Sequence, residues 1–259
     1  MNLTHGSVFT GIGGFDLAAE RQGIKNVFHC EYEEYKRIDL KRNFPNVISY
    51  ADITTTDFSI HRGKIGILSG GFPCQDASIA KQDGKGQQGL QGSRTGLFYH
   101  MCRAIDEISP KVVIAENVSN ILKINGGGDF RAILTEMAGM GYNAEWRVCR
   151  ASEVGAPHHR ERLYLVAYSN SIRREEGQTF FSYVSEKAQQ ISWKPAGAVI
   201  QISRGGAWKS EPPILCVDDG VPGKLVRQQL HGYGNAIVPQ IAEAIFKSIK
   251  EVFTYNDLL

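Results

Sequence analysis

Short β-branched apolar runs alternate with amphipathic stretches along the first two thirds of the chain. This is the pattern of βαβ units built around a largely parallel sheet. The runs predict strands at Ser7–Thr10, Asn26–Glu31, Val47–Ala51, Ile65–Ser69, Val112–Glu116, Glu145–Arg150 and Leu163–Tyr168. Helical periodicity predicts helices at Phe15–Gln22, Glu33–Asn43, Thr95–Ile108 and Asp129–Met140. In the last of these, Phe130, Ile133, Leu134 and Met137 fall on one face. Periodicity then fades. Residues 169–230 are rich in Ser, Gln, Gly, Pro and charges, with scattered Phe180, Phe181, Tyr183, Trp193 and Trp208. The segment reads as a small, loop-rich second domain, and its aromatics argue against full disorder. A final helix begins at Pro239, with Ile241, Ile245, Ile249 and Val252 facing inward and proline in its first turn. The expected division is therefore 1–168 completed by 231–259, with 169–230 set apart.

Composition narrows the class without fixing it. At 259 residues, with 42% hydrophobic and 22% charged positions, the chain has the make-up of a soluble globular protein. A net charge of +2 neither requires nor excludes a polyanionic partner, so any nucleic-acid surface must come from local clustering. Five widely spaced cysteines, Cys30, Cys74, Cys102, Cys149 and Cys216, contain no C-x-x-C pair. That argues against a disulfide framework and a zinc site, and favours a reducing cytoplasm. No apolar run approaches the ~20 residues that span a bilayer, and no signal-like leader is evident.

Five places carry candidate chemistry. Gly70-Gly71-Phe72-Pro73-Cys74-Gln75 closes an apolar strand and puts a thiol where open α/β sheets keep their ligands. Alone, Cys74 reads equally as a nucleophile or an inert buried thiol. Phe9-Thr10-Gly11-Ile12-Gly13-Gly14 links the first strand to a helix, but Asp16 stands where the third glycine of a dinucleotide fingerprint would fall. Glu31 ends the second strand at about the spacing of a ribose-binding acid, and Asp52 ends the third, in reach of an adenine amino group. Each acid alone is more often a solvated loop residue; with the glycine turn they favour an adenosine-containing ligand other than NAD. Glu116 ends the fifth strand on the same sheet edge as Cys74, where burial makes it a plausible proton donor. Pro157-His158-His159-Arg160-Glu161-Arg162 precedes the last strand, and arginines two apart on an extended chain share a side. The adjacent histidines point oppositely and lack a third ligand, so no metal is expected. Between Ala80 and Leu97 a stretch rich in Gly, Gln and Lys reads as a lid over the site or as a plain surface loop.

Taken in order, Phe9–Gly14, Pro73-Cys74-Gln75, Glu116-Asn117-Val118, the Arg160/Arg162 pair and Gly234-Asn235-Ala236-Ile237-Val238-Pro239 resemble the DNA (cytosine-5)-methyltransferase family. The similarity covers nearly all of the chain except roughly 169–215. It implies an α/β, S-adenosylmethionine-dependent methyltransferase fold, Rossmann-like, with a mixed sheet onto which the C-terminal helix packs back. It makes 169–230 a small loop-rich target-recognition domain. It implies S-adenosylmethionine as cofactor, held by Phe9, Thr10, Gly11, Ile12, Gly13, Gly14, Glu31, Asp52, Ile53, Phe72, Asn235 and Ala236. Cys74, Glu116, Arg160 and Arg162 would be catalytic. Gln75, Ser78, Lys81, Lys85 and Arg94 would meet double-stranded DNA. The enzyme implied is a monomeric, cytoplasmic DNA (cytosine-5-)-methyltransferase of a bacterial or phage-infected cell, with or without a cognate restriction endonuclease. Two departures stand out: His158 replaces a usual Gln, and the recognition region is short.

The residues fit that chemistry on their own terms. Carbon 5 of cytosine is too weak a nucleophile to attack a methyl sulfonium unaided, and thiolate addition at carbon 6 makes it enamine-like. Glu116 at ring nitrogen 3 and Arg162 at the position-2 carbonyl favour that addition, and base flipping is needed to expose these atoms. The rival readings are methylation of cytosine in RNA, an inactive DNA-binding protein and a nucleotide-binding oxidoreductase.

Overall fold

The computed structural model describes residues 3–73, 96–154, 156, 160–186 and 236–257. Seven strands form one sheet in the order β3-β2-β1-β4-β5-β7-β6. They are β1 (Thr4–Val8), β2 (Lys25–Cys30), β3 (Ile48–Tyr50), β4 (Ile67–Gly71), β5 (Val112–Val118), β6 (Tyr142–Arg150) and β7 (Glu161–Ser169). The first five run parallel, whereas β7 inserts antiparallel between β5 and β6. The mixed α/β architecture expected from the sequence is thus present. Its consequence is local: the carboxyl ends of β1, β2, β4 and β5 and the amino end of β7 share one edge.

Helices cover both faces. On one lie α1 (Gly14–Arg21), the short α5 (Ser182–Glu186) and α6 (Pro239–Asp257); on the other lie α3 (Leu97–Ile108) and α4 (Gly128–Gly139), while α2 (Glu34–Asn43) links β2 to β3. Burial on both sides explains the uninterrupted apolar run of β5. Val112 and Ile114 enter the core under α1 and α6, while Val113 and Ala115 enter the core under α3 and α4. In α6, Ile241, Ile245, Ile249 and Val252 are buried at the spacing of one helical face. That helix docks on α1, where Glu243 accepts from Arg21 and Gln22 and the Lys250 ammonium donates to the Gln22 carbonyl. The C-terminal helix therefore returns to the N-terminal half of the chain.

Several boundaries differ from the sequence reading. β1 begins at Thr4 and stops at Val8, because His5 and Gly6 are core positions in spite of their type. A side chain at Gly6 would strike the Phe28 ring, and the buried His5 is satisfied by Asn26 and Ser69. Phe9, φ 52°, has already left the strand. β5 runs two residues further, to Val118, and β6 starts earlier, at Tyr142. α3 begins at Leu97; Thr95 lies outside the described residues. The loop-rich character from residue 169 also conceals a packed stretch. Phe180, Phe181 and Val184 are buried in the same core as α6, and Arg174, Thr179 and the Phe180 amide all donate to the Glu145 carboxylate on β6. Phe180, Phe181 and Val184 thus pack on the same side of the sheet as α1 and α6.

Candidate active site

The glycine turn between β1 and α1 separates into residues that pack and one that faces open space. Gly13, φ 87°, admits no side chain, because a Cβ would stand 2.7 Å from Phe44 and 2.9 Å from Leu40. At Gly14 a Cβ would fall 2.8 Å from the Ile237 Cβ, so the segment entering α6 lies directly against the turn. Gly11 differs. Its φ of 62° belongs to the left-handed region, yet nothing stands within 4 Å of where a Cβ would be. Its amide donates to the Glu31 carboxylate at 2.7 Å.

Glu31 is buried and well held. Its second oxygen accepts from the Glu33 amide at 2.9 Å, and the Lys36 ammonium stands 3.7 Å away. Both oxygens keep a lone pair for a further donor. Asp52 instead caps its own turn, accepting from the amide and the hydroxyl of Thr54 at 2.8 Å each. Those two bonds draw its pKa below the ordinary carboxylate range. Ile53 is buried behind it, and its carbonyl accepts from Arg103.

At the centre of the edge, β4 and β5 place Gly71 opposite Glu116. The missing side chain of Gly71 makes room for the carboxyl, whose Oε2 is 3.0 Å from where a Cβ would stand. Glu116 is 8% exposed, and burial lifts its pKa to about 7 against the opposing pull of Arg162 and Arg160. Arg162 Nε lies 3.1 Å from Glu116 Oε1. Arg160, whose charge also acts on Glu116, donates to the Ala236 carbonyl at 2.8 Å. One arginine thus holds the carboxyl and its neighbour ties down the chain leading into α6. Phe72 is buried against Phe98, with ring centroids 5.1 Å apart.

The structure therefore brings Phe9–Gly14, Glu31, Asp52, Ile53, Phe72, Glu116, Arg160, Arg162 and Ala236 to one sheet edge. Cys74, Gln75, Ser78, Lys81, Lys85, Arg94, His158 and Asn235 lie outside the described residues. Pro73 is the last described position before the cysteine.

Three residues at this edge had no assigned role in the sequence reading. Asn117 is buried and donates from Nδ2 to the Phe72 carbonyl at 3.2 Å, while its Oδ1 accepts from the Val118 amide at 2.8 Å. It fastens Phe72, directly after β4, to the end of β5. Tyr32 follows Glu31 and is 74% exposed, and Arg37 donates to the carbonyls of both. An aromatic directly after a strand-ending acid was the sequence signal available for it. Asp16 is wholly buried beneath the glycine turn.

With this geometry in place, comparison with known proteins is informative. The profile of the C-5 cytosine-specific DNA methylase family matches residues 3–201. The chain belongs to that family. Among relatives, it is 31% identical over 229 residues to the type II methyltransferase M.Eco47II of Escherichia coli, covering 79% of this chain and 54% of the relative. It is 38% identical over 167 residues to the type II methyltransferase M.PspPI of Psychrobacter sp. (strain TA137), covering 64% of this chain and 39% of the relative. The chain thus spans about half the length of the first of these and less of the second. Among solved structures, the Entamoeba histolytica methyltransferase EhMeth superposes with a TM-score of 0.55 at 19% identity, over 68% of this chain and 55% of that one. That likeness supports the fold.

Proposed function

We propose that this chain methylates carbon 5 of a flipped-out cytosine in duplex DNA through a transient bond between the Cys74 sulfur and carbon 6. The observation that carries this reading is Glu116: a buried carboxyl, pKa about 7, gripped by Arg162 beside the strand that leads to Pro73 and Cys74. A carboxyl that keeps its proton near neutrality can give it to, or share it with, cytosine nitrogen 3. The ring then accepts a nucleophile at carbon 6 more readily. Arg162 steadies the carboxyl and stands near enough to meet the position-2 carbonyl. The Cys74 thiolate adds to carbon 6, and electron density moves to carbon 5. After carbon 5 has gained its methyl group, it loses its proton to a base. The carbon–sulfur bond breaks, and aromaticity returns.

S-adenosylmethionine, when bound, supplies an electrophilic methyl group. The residues present suit it. Gly11 leaves open space beside the Glu31 carboxylate, which has lone pairs for ribose hydroxyls, and Tyr32 offers an uncovered ring next to that acid. Thr10, Ile12, Asp52, Ile53, Phe72, Asn235 and Ala236 complete the proposed pocket. The recognition segment, in this reading, is contributed from beyond Glu186, and the lysines and arginine at 81, 85 and 94 meet phosphate.

The test is covalent capture. Incubation with S-adenosylmethionine and a library of duplexes carrying 5-fluorocytosine should yield a denaturation-resistant complex, because fluorine at carbon 5 cannot leave as a proton does. Cys74→Ser should form none. Capture on fluorinated RNA in preference to duplex DNA would overturn the choice of substrate, and unchanged methyl transfer by Cys74→Ser would overturn the mechanism.

A further inference from the structure

Beneath the glycine turn lies a buried chain of polar groups that the reaction itself does not use. Asp16, in the first turn of α1, has no exposed surface, and neither does Ser7 on β1. The Ser7 hydroxyl stands 3.0 Å from each Asp16 carboxyl oxygen and 2.9 Å from the Thr10 hydroxyl. The Thr10 hydroxyl in turn lies 3.1 Å from the Cys30 carbonyl and accepts from the Cys30 amide at 3.2 Å. The path therefore runs from helix α1 through β1 and the turn to the end of β2, one residue before Glu31. From the other side, Asn26 donates to the Asp16 carbonyl at 2.9 Å.

A carboxyl is costly to bury, and no cation is paired with Asp16 among the described residues. An asparagine would fill nearly the same volume at lower cost. What the carboxyl adds is two acceptor oxygens placed symmetrically about one hydroxyl, which fixes Ser7 and, through it, Thr10. Thr10 sits inside the turn, immediately before the left-handed Gly11 whose amide meets Glu31.

We propose that Asp16 is a positioning residue for the methyl-donor turn: through Ser7 and Thr10 it sets the Gly11 backbone and the Glu31 carboxylate at the separation the adenosyl ligand requires. This rests on the function proposed above. It makes the donor site, and not the cytosine site, the part that Asp16 controls. The loss should appear in the KM for S-adenosylmethionine while kcat at saturating donor holds.

The experiment compares full-length wild type, Asp16→Asn and Asp16→Ala. Asp16→Ala removes both acceptors, and its KM for S-adenosylmethionine should rise about tenfold, equivalent to ~1.4 kcal/mol. Asp16→Asn keeps one acceptor of the same size and should recover most of that loss. Ser7→Ala cuts the path one step further on and should reproduce the Asp16→Ala defect with the carboxyl intact. S-adenosylhomocysteine affinity, measured by calorimetry on the same proteins, gives a readout that does not need turnover. Should Asp16→Ala prove insoluble, Ser7→Ala and Asp16→Asn carry the comparison. An unmoved KM and affinity in Ser7→Ala would overturn the assignment while leaving the proposed function intact. Wild-type protein that binds neither adenosyl ligand would overturn both together.

Discussion

Arg162 Nε lies 3.1 Å from Glu116 Oε1, although the two side chains come from strands that run in opposite directions. The insertion of β7 makes this pairing possible. A parallel strand there would bring its carboxyl end to the edge, and the Arg160-Glu161-Arg162 run would sit at the far end of the sheet. Because β7 is antiparallel, its first residues meet the last residues of β5, with Val118 opposite Arg162 and Glu116 opposite Tyr164. The ion pair is partial by design: burial raises the carboxyl to about 7 and the arginines restrain it there.

That balance predicts a pH profile. The protonated Glu116 is the useful form, so kcat/KM should fall as pH rises through about 7. The need for a Cys74 thiolate works in the other direction and supplies the acid limb, giving a bell. Glu116→Gln should lower kcat by about 10²–10⁴-fold and remove the alkaline limb. Arg162→Ala removes a charge that lowers the carboxyl pKa, so its residual activity should show that limb at higher pH. Steady-state kinetics across pH on the three proteins check both statements.

The same shift has a sign for stability. A carboxyl whose pKa is higher folded than unfolded binds more protons in the native state. Glu116 moves from 4.5 to about 7 and Asp16 from 3.8 to about 7. Both contributions are therefore fully present below the unfolded values and are lost as pH rises toward about 7. Denaturant midpoints of Asp16→Asn should fall less than those of wild type between pH 5 and 7, an interval set by those two pKa positions. Equal slopes would mean that Asp16 does not titrate there.

The glycines of the turn should separate by experiment. Gly11→Ala places a methyl in open space at φ 62°, at a backbone cost of roughly 1–2 kcal/mol. Its principal effect should be weaker S-adenosylmethionine binding. Gly14→Ala drives a methyl against the Ile237 Cβ at 2.8 Å and should loosen the segment entering α6. Its midpoint of thermal unfolding should fall more than that of Gly11→Ala, with the order of the KM effects reversed. Calorimetry and donor titrations on the pair decide it.

Much of this edge was legible in the sequence. Glu116 closes a plain apolar run, whereas the glycine turn and Glu31 were legible from their own residue types and spacing. Asn117 and Asp16 were harder to read. Their roles depend on pairings across 45 and 9 residues respectively, Asn117 to the Phe72 carbonyl and Asp16 to Ser7. No local pattern encodes such partners. β1 was misplaced for a related reason: His5 reads as polar, yet burial holds its pKa near 4. As a neutral ring it donates to Asn26 and accepts from Ser69 inside the core. Composition gave no sign of the packing after residue 169, where three hydrogen bonds to Glu145, one of them from Arg174, hold two phenylalanines among polar neighbours.

That last feature yields a prediction about where the packed body ends. Phe180 is fully buried in the core under α6, with the Tyr168 ring 5.2 Å away and the Arg174 guanidinium over both rings, 5.3 Å from that of Phe180 and 4.4 Å from that of Tyr168. If residues 169–186 were part of a separable recognition segment, truncating this ring would alter DNA affinity and leave the remainder untouched. The packing argues otherwise. Phe180→Ala should destabilise the whole fold by about 3–5 kcal/mol, the usual cost of deleting a buried aromatic ring. S-adenosylmethionine binding should be lost only as the protein unfolds. Arg174→Ala should cost less, because the Thr179 hydroxyl and the Phe180 amide still satisfy Glu145. Urea denaturation followed by both far-ultraviolet dichroism and tryptophan fluorescence is the measurement. In a background carrying Trp193→Phe and Trp208→Phe, Trp146 on the neighbouring β6 edge is the sole tryptophan and reports locally, so coincident transitions place this stretch in the main cooperative unit. An early fluorescence transition in Phe180→Ala, with the dichroism midpoint unmoved, would assign the stretch to a separate unit.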